Sequence, residues 1–206
     1  TQMKRYAFID VQNTASTAQN MLGFVIDWQR LVDYLKNKKS CTEIIFYAGI
    51  EHGDVDTAHE FDLISKISGC EVKSKAVFAY KNRNKVVALK CSCGRDNVHT
   101  IDMGYRKKSN CDVELSVDVI ERSNEDSEFL IFTGDGDFEY LVRKALEKGV
   151  GKINIYGYAK VEIKAGLPMS TFSTKLKALV DEKKDKVYYT SLVDSQDRIK
   201  KEIPTI

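Results

Sequence analysis

Short apolar runs of strand length recur along the chain, and the stretches between them carry helix-like spacing. Tyr6-Ala7-Phe8-Ile9, Glu43 to Ala48, Phe129-Leu130-Ile131-Phe132 and Lys152 to Tyr156 are the clearest runs. A run of four to six apolar residues with no polar alternation suits a strand covered on both faces. Strands that alternate with helices pack as a parallel α/β sheet, because a parallel pair needs a crossover connection. In such sheets ligands bind beyond the carboxyl ends of the strands. Two of the runs end at carboxylates. Asp10 follows Ile9, and Thr133-Gly134-Asp135-Gly136-Asp137-Phe138 follows Phe132.

The segments between the runs are less uniform. Residues 11–25 are rich in Asn, Thr, Ser and Gly and read as a loop. Asp27 is placed to cap a helix through Trp28, Leu31, Val32 and Leu35, and Asp54 or Asp56 to open a second one bearing Phe61, Ile64 and Ile67. Glu71 to Ala79 reads as a third strand. Residues 111–123 and Phe138 to Lys148 read as helices, the latter closed by Gly149, with Asp137 expected to cap it. Residues 80–108 break the rhythm. Two turn signals, Lys81 to Lys85 and Cys93 to Asn97, separate strand-like pieces and predict a basic β-ribbon at about 78–106. The expected division is a domain over 1–160 that includes this ribbon, and a C-terminal helix and extension over 161–206 that either packs on the domain or is mobile.

Charge is distributed unevenly. Residues 71–108 carry ten basic side chains against Glu71, Asp96 and Asp102, whereas 109–149 carry eleven acidic and four basic ones. A basic stretch beside an acidic one suits a polyanion that docks on the first and reacts at the second. The bland alternative is that each charge belongs to a solvated face. The five cysteines have no framework spacing, and Cys91-Ser-Cys93 lacks the second pair that structural zinc requires. No apolar run approaches the roughly 18–20 residues that span a bilayer. Gln2, Lys4 and Arg5 lead straight into the first strand, unlike a signal peptide. The expectation is a cytoplasmic protein with no membrane contact.

The candidate site is the set of carboxylates. Asp10 stands at a strand end, with Asn13 three residues on. Asp112 opens a helix, where an aspartate is commonly only a cap. Asp118 lies six residues later, off the same helical face, and is expected as second shell or structural. The glycines around Asp135 are read as allowing a sharp turn and a close approach to a ligand. Carboxylates gathered at one sheet end repel unless a cation joins them. A hard ion such as Mg²⁺ or Mn²⁺ takes oxygen ligands and keeps water positions for a phosphate.

Taken together, three segments resemble the NYN family of PIN-like nucleases, in particular its LabA-like branch. They are Phe8-Ile9-Asp10-Val11-Gln12-Asn13, Lys108-Ser109-Asn110-Cys111-Asp112-Val113-Glu114-Leu115 with Asp118, and Phe132-Thr133-Gly134-Asp135-Gly136-Asp137-Phe138. The resemblance spans roughly residues 5–158. It departs from the family pattern where Ser109-Asn110-Cys111 replaces a glycine-bearing segment and where Val11 follows the first Asp. It implies a PIN-like, Rossmann-like parallel sheet flanked by helices, with the basic β-ribbon inserted. It further implies a Mg²⁺- or Mn²⁺-dependent ribonuclease site with Asp10, Asp112 and Asp135 as metal residues, and Asn13 and Asp137 assisting.

The expected reaction is hydrolysis of an RNA phosphodiester. Lys81, Arg83, Lys85, Arg106, Lys107 and Lys108, with Tyr80 and Tyr105 among them, would guide a single strand by charge and stacking. His52, His59 and His99 fit no site. A homodimer is allowed for. The alternative from another class is a non-catalytic RNA-binding or regulatory protein on the same fold. A phosphatase of small phosphoesters is disfavoured, because Val11 and Gln12 follow Asp10 where a nucleophilic Asp-x-Asp pair would stand.

Overall fold

The computed structural model describes residues 3–90, 92–94, 96–164 and 166–202; the side chains of Arg106, Lys107, Lys108 and Lys164 lie outside that description. In chain order the elements begin with β1 (Lys4–Asp10), α1 (Val11–Leu22), α2 (Trp28–Asn37), β2 (Glu43–Ile50), α3 (Val55–Ser65) and β3 (Cys70–Ala76). The inserted ribbon is β4 (Phe78–Lys81), β5 (Lys85–Lys90), β6 (Asp96–Ile101) and β7 (Tyr105–Lys108). Then come α4 (Asp112–Glu121), β8 (Ser127–Phe132), α5 (Phe138–Glu147) and β9 (Lys152–Gly157). A small hairpin of β10 (Glu162–Lys164) and β11 (Leu167–Met169) precedes α6 (Thr174–Glu182), β12 (Val187–Ser191), a 3₁₀ turn (Leu192–Ser195) and α7 (Gln196–Ile199).

Six strands form one parallel sheet in the order β12-β9-β8-β1-β2-β3. Strand order therefore runs outward from β1 in one direction through β2 and β3, and from β8 in the other through β9 and β12. The reversal falls between β1 and β8. A doubly wound sheet opens a crevice at such a point, because successive helices leave for opposite faces. The apolar runs explain the two faces. In β1, Ala7 and Ile9 join one core with Leu31, Leu35, Ile44, Phe46 and Phe132. Tyr6 and Phe8 join the other with Tyr47, Leu115, Phe129, Leu141 and Ile153. Phe8 and Ile9 are both fully buried, so neither face of β1 meets water.

Three sequence expectations are corrected here. Residues 11–25 are not a loop over most of their length: α1 occupies 11–22. Asp10 is its N-cap, with Oδ1 accepting from the Asn13 N–H at 3.1 Å, and Val11, Thr14, Thr17, Ala18 and Met21 turn a buried face inward. The polar composition masked a 3.6-residue period carried partly by threonines, whose methyls pack as well as their hydroxyls bond. Asp137 occupies the N-cap position of α5 but makes no capping hydrogen bond with its side chain. And the third strand stops at Ala76; Phe78 begins the ribbon, whose β4 pairs antiparallel with β7 and β5 with β6.

The segment beyond 160 returns to the sheet. β12 is its edge strand beside β9. Leu192 and Ile199 are buried in the first core, and Leu176 and Leu179 of α6 in the second. No helix among the described residues is long and apolar enough to cross a membrane.

Asp118 anchors α4 against the sheet. It is 3% exposed, accepts from the Tyr47 hydroxyl at 2.7 Å, and pairs with Lys73 Nζ at 2.7 Å and the Arg122 guanidinium at 3.2 Å. Burial pushes its carboxyl pKa up, but the hydrogen bonds from Lys73 and Tyr47 outweigh that and hold it below the usual value. Asp118→Ala leaves a buried phenol and a partly exposed lysine end short of their acceptor, and urea unfolding is expected to show a loss of about 2 kcal/mol. A loss below about 0.5 kcal/mol would mean the cluster carries no stability.

Candidate active site

The crevice between β1 and β8 opens into a cavity of about 560 Å³. Asp10, Asp112, Asp135 and Asp137 line it together with Asn13, and these are five of the residues singled out from the sequence. Asp118 does not line it; its partners Tyr47, Lys73 and Arg122 lie off the cavity wall. The ribbon residues Lys81, Arg83 and Lys85 do not line it either, and the side chains of Arg106, Lys107 and Lys108 lie outside the described residues.

A short relay of hydrogen bonds fixes the floor. Asp10 Oδ1 takes the Asn13 N–H, and Asp10 Oδ2 accepts from Thr133 Oγ1 at 3.2 Å. Thr133 Oγ1 in turn accepts from the Asp135 N–H at 3.2 Å. Asn13 Oδ1 takes the Gly134 N–H at 2.8 Å, tying α1 to the loop after β8. Thr14 Oγ1 donates to the carbonyl oxygens of both Asp10 and Phe132, which locks the two strand ends side by side. Asp135 Oδ1 accepts from the Asp137 N–H at 2.9 Å, so it is Asp135 rather than Asp137 that braces the start of α5. At the third wall Asn110 Oδ1 takes the Asp112 N–H at 2.8 Å. Lys75 reaches over from β3 to the Asn110 carbonyl at 3.1 Å and to Glu114 at 2.7 Å.

Gly134 and Gly136 serve a purpose other than the one read from sequence. Neither has positive φ. A Cβ on Gly134 would meet the Thr171 carbonyl oxygen at 1.9 Å, and one on Gly136 would meet Ser173 Oγ at 2.3 Å. Ser173 N–H also donates to the Gly134 carbonyl at 2.9 Å. The glycines thus admit the chain entering α6, and Thr171 from that chain lines the cavity. On the opposite wall Gly49 plays the same part: a Cβ there would meet Ser109 at 2.4 Å and Gln12 Nε2 at 2.6 Å.

Gln12, Ser16, Thr17, Ser109, Asn110 and Thr171 complete the lining and were not picked out beforehand. Asn13, Ser16 and Thr17 stand three and four residues apart, so one face of α1 presents all of them, a signal available only once 11–22 is read as helix. Ser109 and Asn110 sit next to Asp112 in sequence. Thr171 carries no local signal, since only tertiary packing brings it near.

Asp10 bears the electrostatic cost of this crowding. Burial, with added repulsion from Asp112 and Asp135, pushes the Asp10 carboxyl up to about 6 despite its hydrogen bonds from Asn13 and Thr133. Among the described residues no three His, Cys, Asp or Glu side chains stand close enough to cage a metal by themselves. An all-oxygen wall that is open to water and crowded with carboxylates fits a hard divalent ion that keeps most of its waters and touches one or two protein carboxylates. It does not fit zinc or another ion that demands a nitrogen or sulfur set.

The NYN domain profile matches residues 5–181. No curated protein matches the chain. Among solved structures, a protein of unknown function, VPA0982 from Vibrio parahaemolyticus, has the same fold at 17% identity, with a TM-score of 0.59 and 97% of each chain covered. Phosphofructokinase-2 from Escherichia coli, in complex with potassium, aligns at 12% identity over 90% of this chain and 71% of its own, with a TM-score of 0.39.

Two outcomes follow from this geometry. A carboxyl whose folded pKa lies above its ordinary value of 3.8 favours folding below that value, and the benefit is lost as pH rises through about 6. In chelator, Asp10→Asn is therefore expected to be more stable than wild type near neutral pH by about 2 kcal/mol. Thermal unfolding across pH should show the gap closing at about pH 4; a gap that does not change with pH contradicts the buried-charge account. Gly134→Ala should cost roughly 2–4 kcal/mol and open the chain near Thr171 to protease, because its Cβ collides with backbone that no rotamer can clear. Unchanged protease resistance would show that the two segments do not bear on each other.

Proposed function

The chain belongs to the NYN domain family, and on that premise we propose that it is a metal-dependent ribonuclease of the LabA-like branch. The observation that carries the reading is the convergence of Asp10, Asp112 and Asp135 from three separate elements on one open cavity at the strand-order reversal. Charge of one sign gathered in this way has a cost in the protein alone, and the raised Asp10 pKa expresses that cost.

Asp10, Asp112 and Asp135 would hold Mg²⁺ or Mn²⁺. Such an ion supplies charge stabilisation at the scissile phosphate and a more acidic water. The protein's own part is positional. Asn13 and Thr133 fix the Asp10 carboxylate at both oxygens, by backbone N–H and hydroxyl respectively. Asp135 is set by its own backbone bond to Thr133 and by the Asp137 N–H. Gln12 and Ser109 form the wall beside them, with Gln12 Nε2 held by the Gly49 carbonyl at 2.9 Å. Asp137 is free of capping duty and lines the same cavity, where its carboxylate can take a proton from an attacking water.

The ribbon supports RNA as the polyanion. Its return strand β7 runs directly into Ser109 and Asn110, so whatever lies along the ribbon is led to the cavity. Phe78, Tyr80 and Tyr105 are half or more exposed at its base, a stacking surface interleaved with Lys81, Arg83 and Lys85. The second reading, RNA binding without turnover, rests on the same exposed basic and aromatic ribbon.

The deciding experiment is cleavage of a labelled single-stranded RNA with Mn²⁺, with Mg²⁺ and with chelator. Metal-dependent cutting is expected, reduced on the order of 10² to 10⁴ in Asp10→Asn and in Asp135→Asn. A combined Lys81→Gln, Arg83→Gln, Lys85→Gln variant should raise KM and flatten the salt dependence while largely sparing kcat. Wild type that binds RNA in a ribbon-dependent way yet cuts nothing with either metal would establish the binding protein instead.

A further inference from the structure

A second enclosed site lies at the opposite, amino-terminal end of the sheet. It is a cavity of about 150 Å³ walled by Arg5, Lys39, Glu128, Lys152, Asn154 and Tyr156. None of these residues touches the carboxylate cavity.

Its polar wall carries three cations, an amide and a phenol against one carboxylate, Glu128. Arg5 is occupied by Glu128 through Nε at 2.8 Å and through a second guanidinium nitrogen, which also uses the carboxylate. Asn154 Oδ1 already accepts from Thr190 Oγ1 at 2.9 Å. Lys39 and Lys152 pair with no carboxylate among the described residues. Lys39 Nζ rests 5.5 Å from the Tyr34 ring and 6.0 Å from the Tyr156 ring, and Lys152 Nζ lies 4.8 Å from the Tyr188 ring. Tyr156 is 1% exposed, its ring is stacked on Phe132 at 4.3 Å, and its buried hydroxyl has the Lys39 ammonium beside it as a donor but no acceptor for its own proton. Burial pushes the phenol pKa up, so at neutral pH the group is an O–H donor in want of an acceptor. A buried O–H donor with an ammonium group beside it and no acceptor is unusual, because buried polar groups are normally satisfied.

We propose that this cavity binds a small oxyanion, a phosphate group, between Lys39, Lys152 and the Tyr156 hydroxyl. Two cations without carboxylate partners supply the charge, and the hydroxyl supplies a directed hydrogen bond at the inner end. The volume admits one such group and not a whole nucleotide, so the ligand is either free inorganic phosphate or the phosphate end of a mononucleotide whose remainder projects outward.

The test is isothermal titration of the intact chain in chelator, at fixed ionic strength, with inorganic phosphate in one arm and adenosine 5′-monophosphate in the other. Saturable binding of one equivalent is expected, at least tenfold weaker in Lys39→Met and roughly threefold or more weaker in Tyr156→Phe. Tyr156→Phe keeps the ring stack on Phe132, so it should fold, and circular dichroism checks that it does. Asp10→Asn should bind as wild type does, which separates this site from the carboxylate cavity whatever the fate of the nuclease reading. Nucleotide binding that inorganic phosphate competes away assigns the site to a nucleotide's phosphate end; binding of inorganic phosphate alone assigns it to the free ion. Absence of saturable binding in both arms, or binding untouched by Lys39→Met and Tyr156→Phe, overturns the proposal and leaves the hydroxyl to a buried water.

Discussion

The pairing of β1 with β8 governs the rest of the molecule. Both strands contribute fully buried residues to both cores, and they stand where the strand order reverses. Helices leaving them must go to opposite faces, so nothing can roof the gap beyond their carboxyl ends. Thr14 then bridges the two strand ends through their carbonyl oxygens. Once that joint exists, the last residue of β1 and the third past β8 face one another across a crevice whatever their identities. In this chain they help bring aspartates together.

That placement sets two kinds of free energy against each other. Hydrophobic burial on both sides of β1 holds the strand ends rigidly, and rigidity is what forces Asp10, Asp112 and Asp135 to share a field. Lysines are near, but Lys73 is committed to Asp118 and Lys75 to Glu114, each serving to pin α4 to the sheet edge. Lys73 and Lys75 thus act as struts for the element bearing Asp112. Carboxylates held close by their scaffold perturb one another, and such perturbed groups are common at functional sites.

Much of this was legible in the chain. The apolar runs announced their strands because burial on both faces leaves no polar alternation to confuse the period, and Asp10 and Asp135 could be placed because they follow such runs directly. The ribbon was visible in its turn residues. The reading failed where polar residues did packing work. Thr14 and Thr17 are 2% and 3% exposed and belong to a buried helix face, yet their side chains read as loop. It failed again at Gly134 and Gly136, where local sequence suggests conformational freedom and the actual demand is empty space for a segment some forty residues away. The final edge strand has strand-forming residues in Val187-Tyr188-Tyr189-Thr190 but no cue to its place beside β9, and Thr171 had no local signal at all, since its position is fixed by partners distant in sequence.

The clasp of Thr171 and Ser173 on the Gly134–Gly136 loop has a consequence in time. In a chain made from its amino end, β1, α4 and β8 all emerge well before this clasp can form. The aspartate-bearing loop is therefore exposed to solvent, with one wall absent, until α6 and β12 have been made and have docked. The cavity is assembled last, by a segment that contributes a hydroxyl and a carbonyl but no charge. A nascent chain carries every acidic group of the site for a long interval during which it lacks the enclosure that aims them.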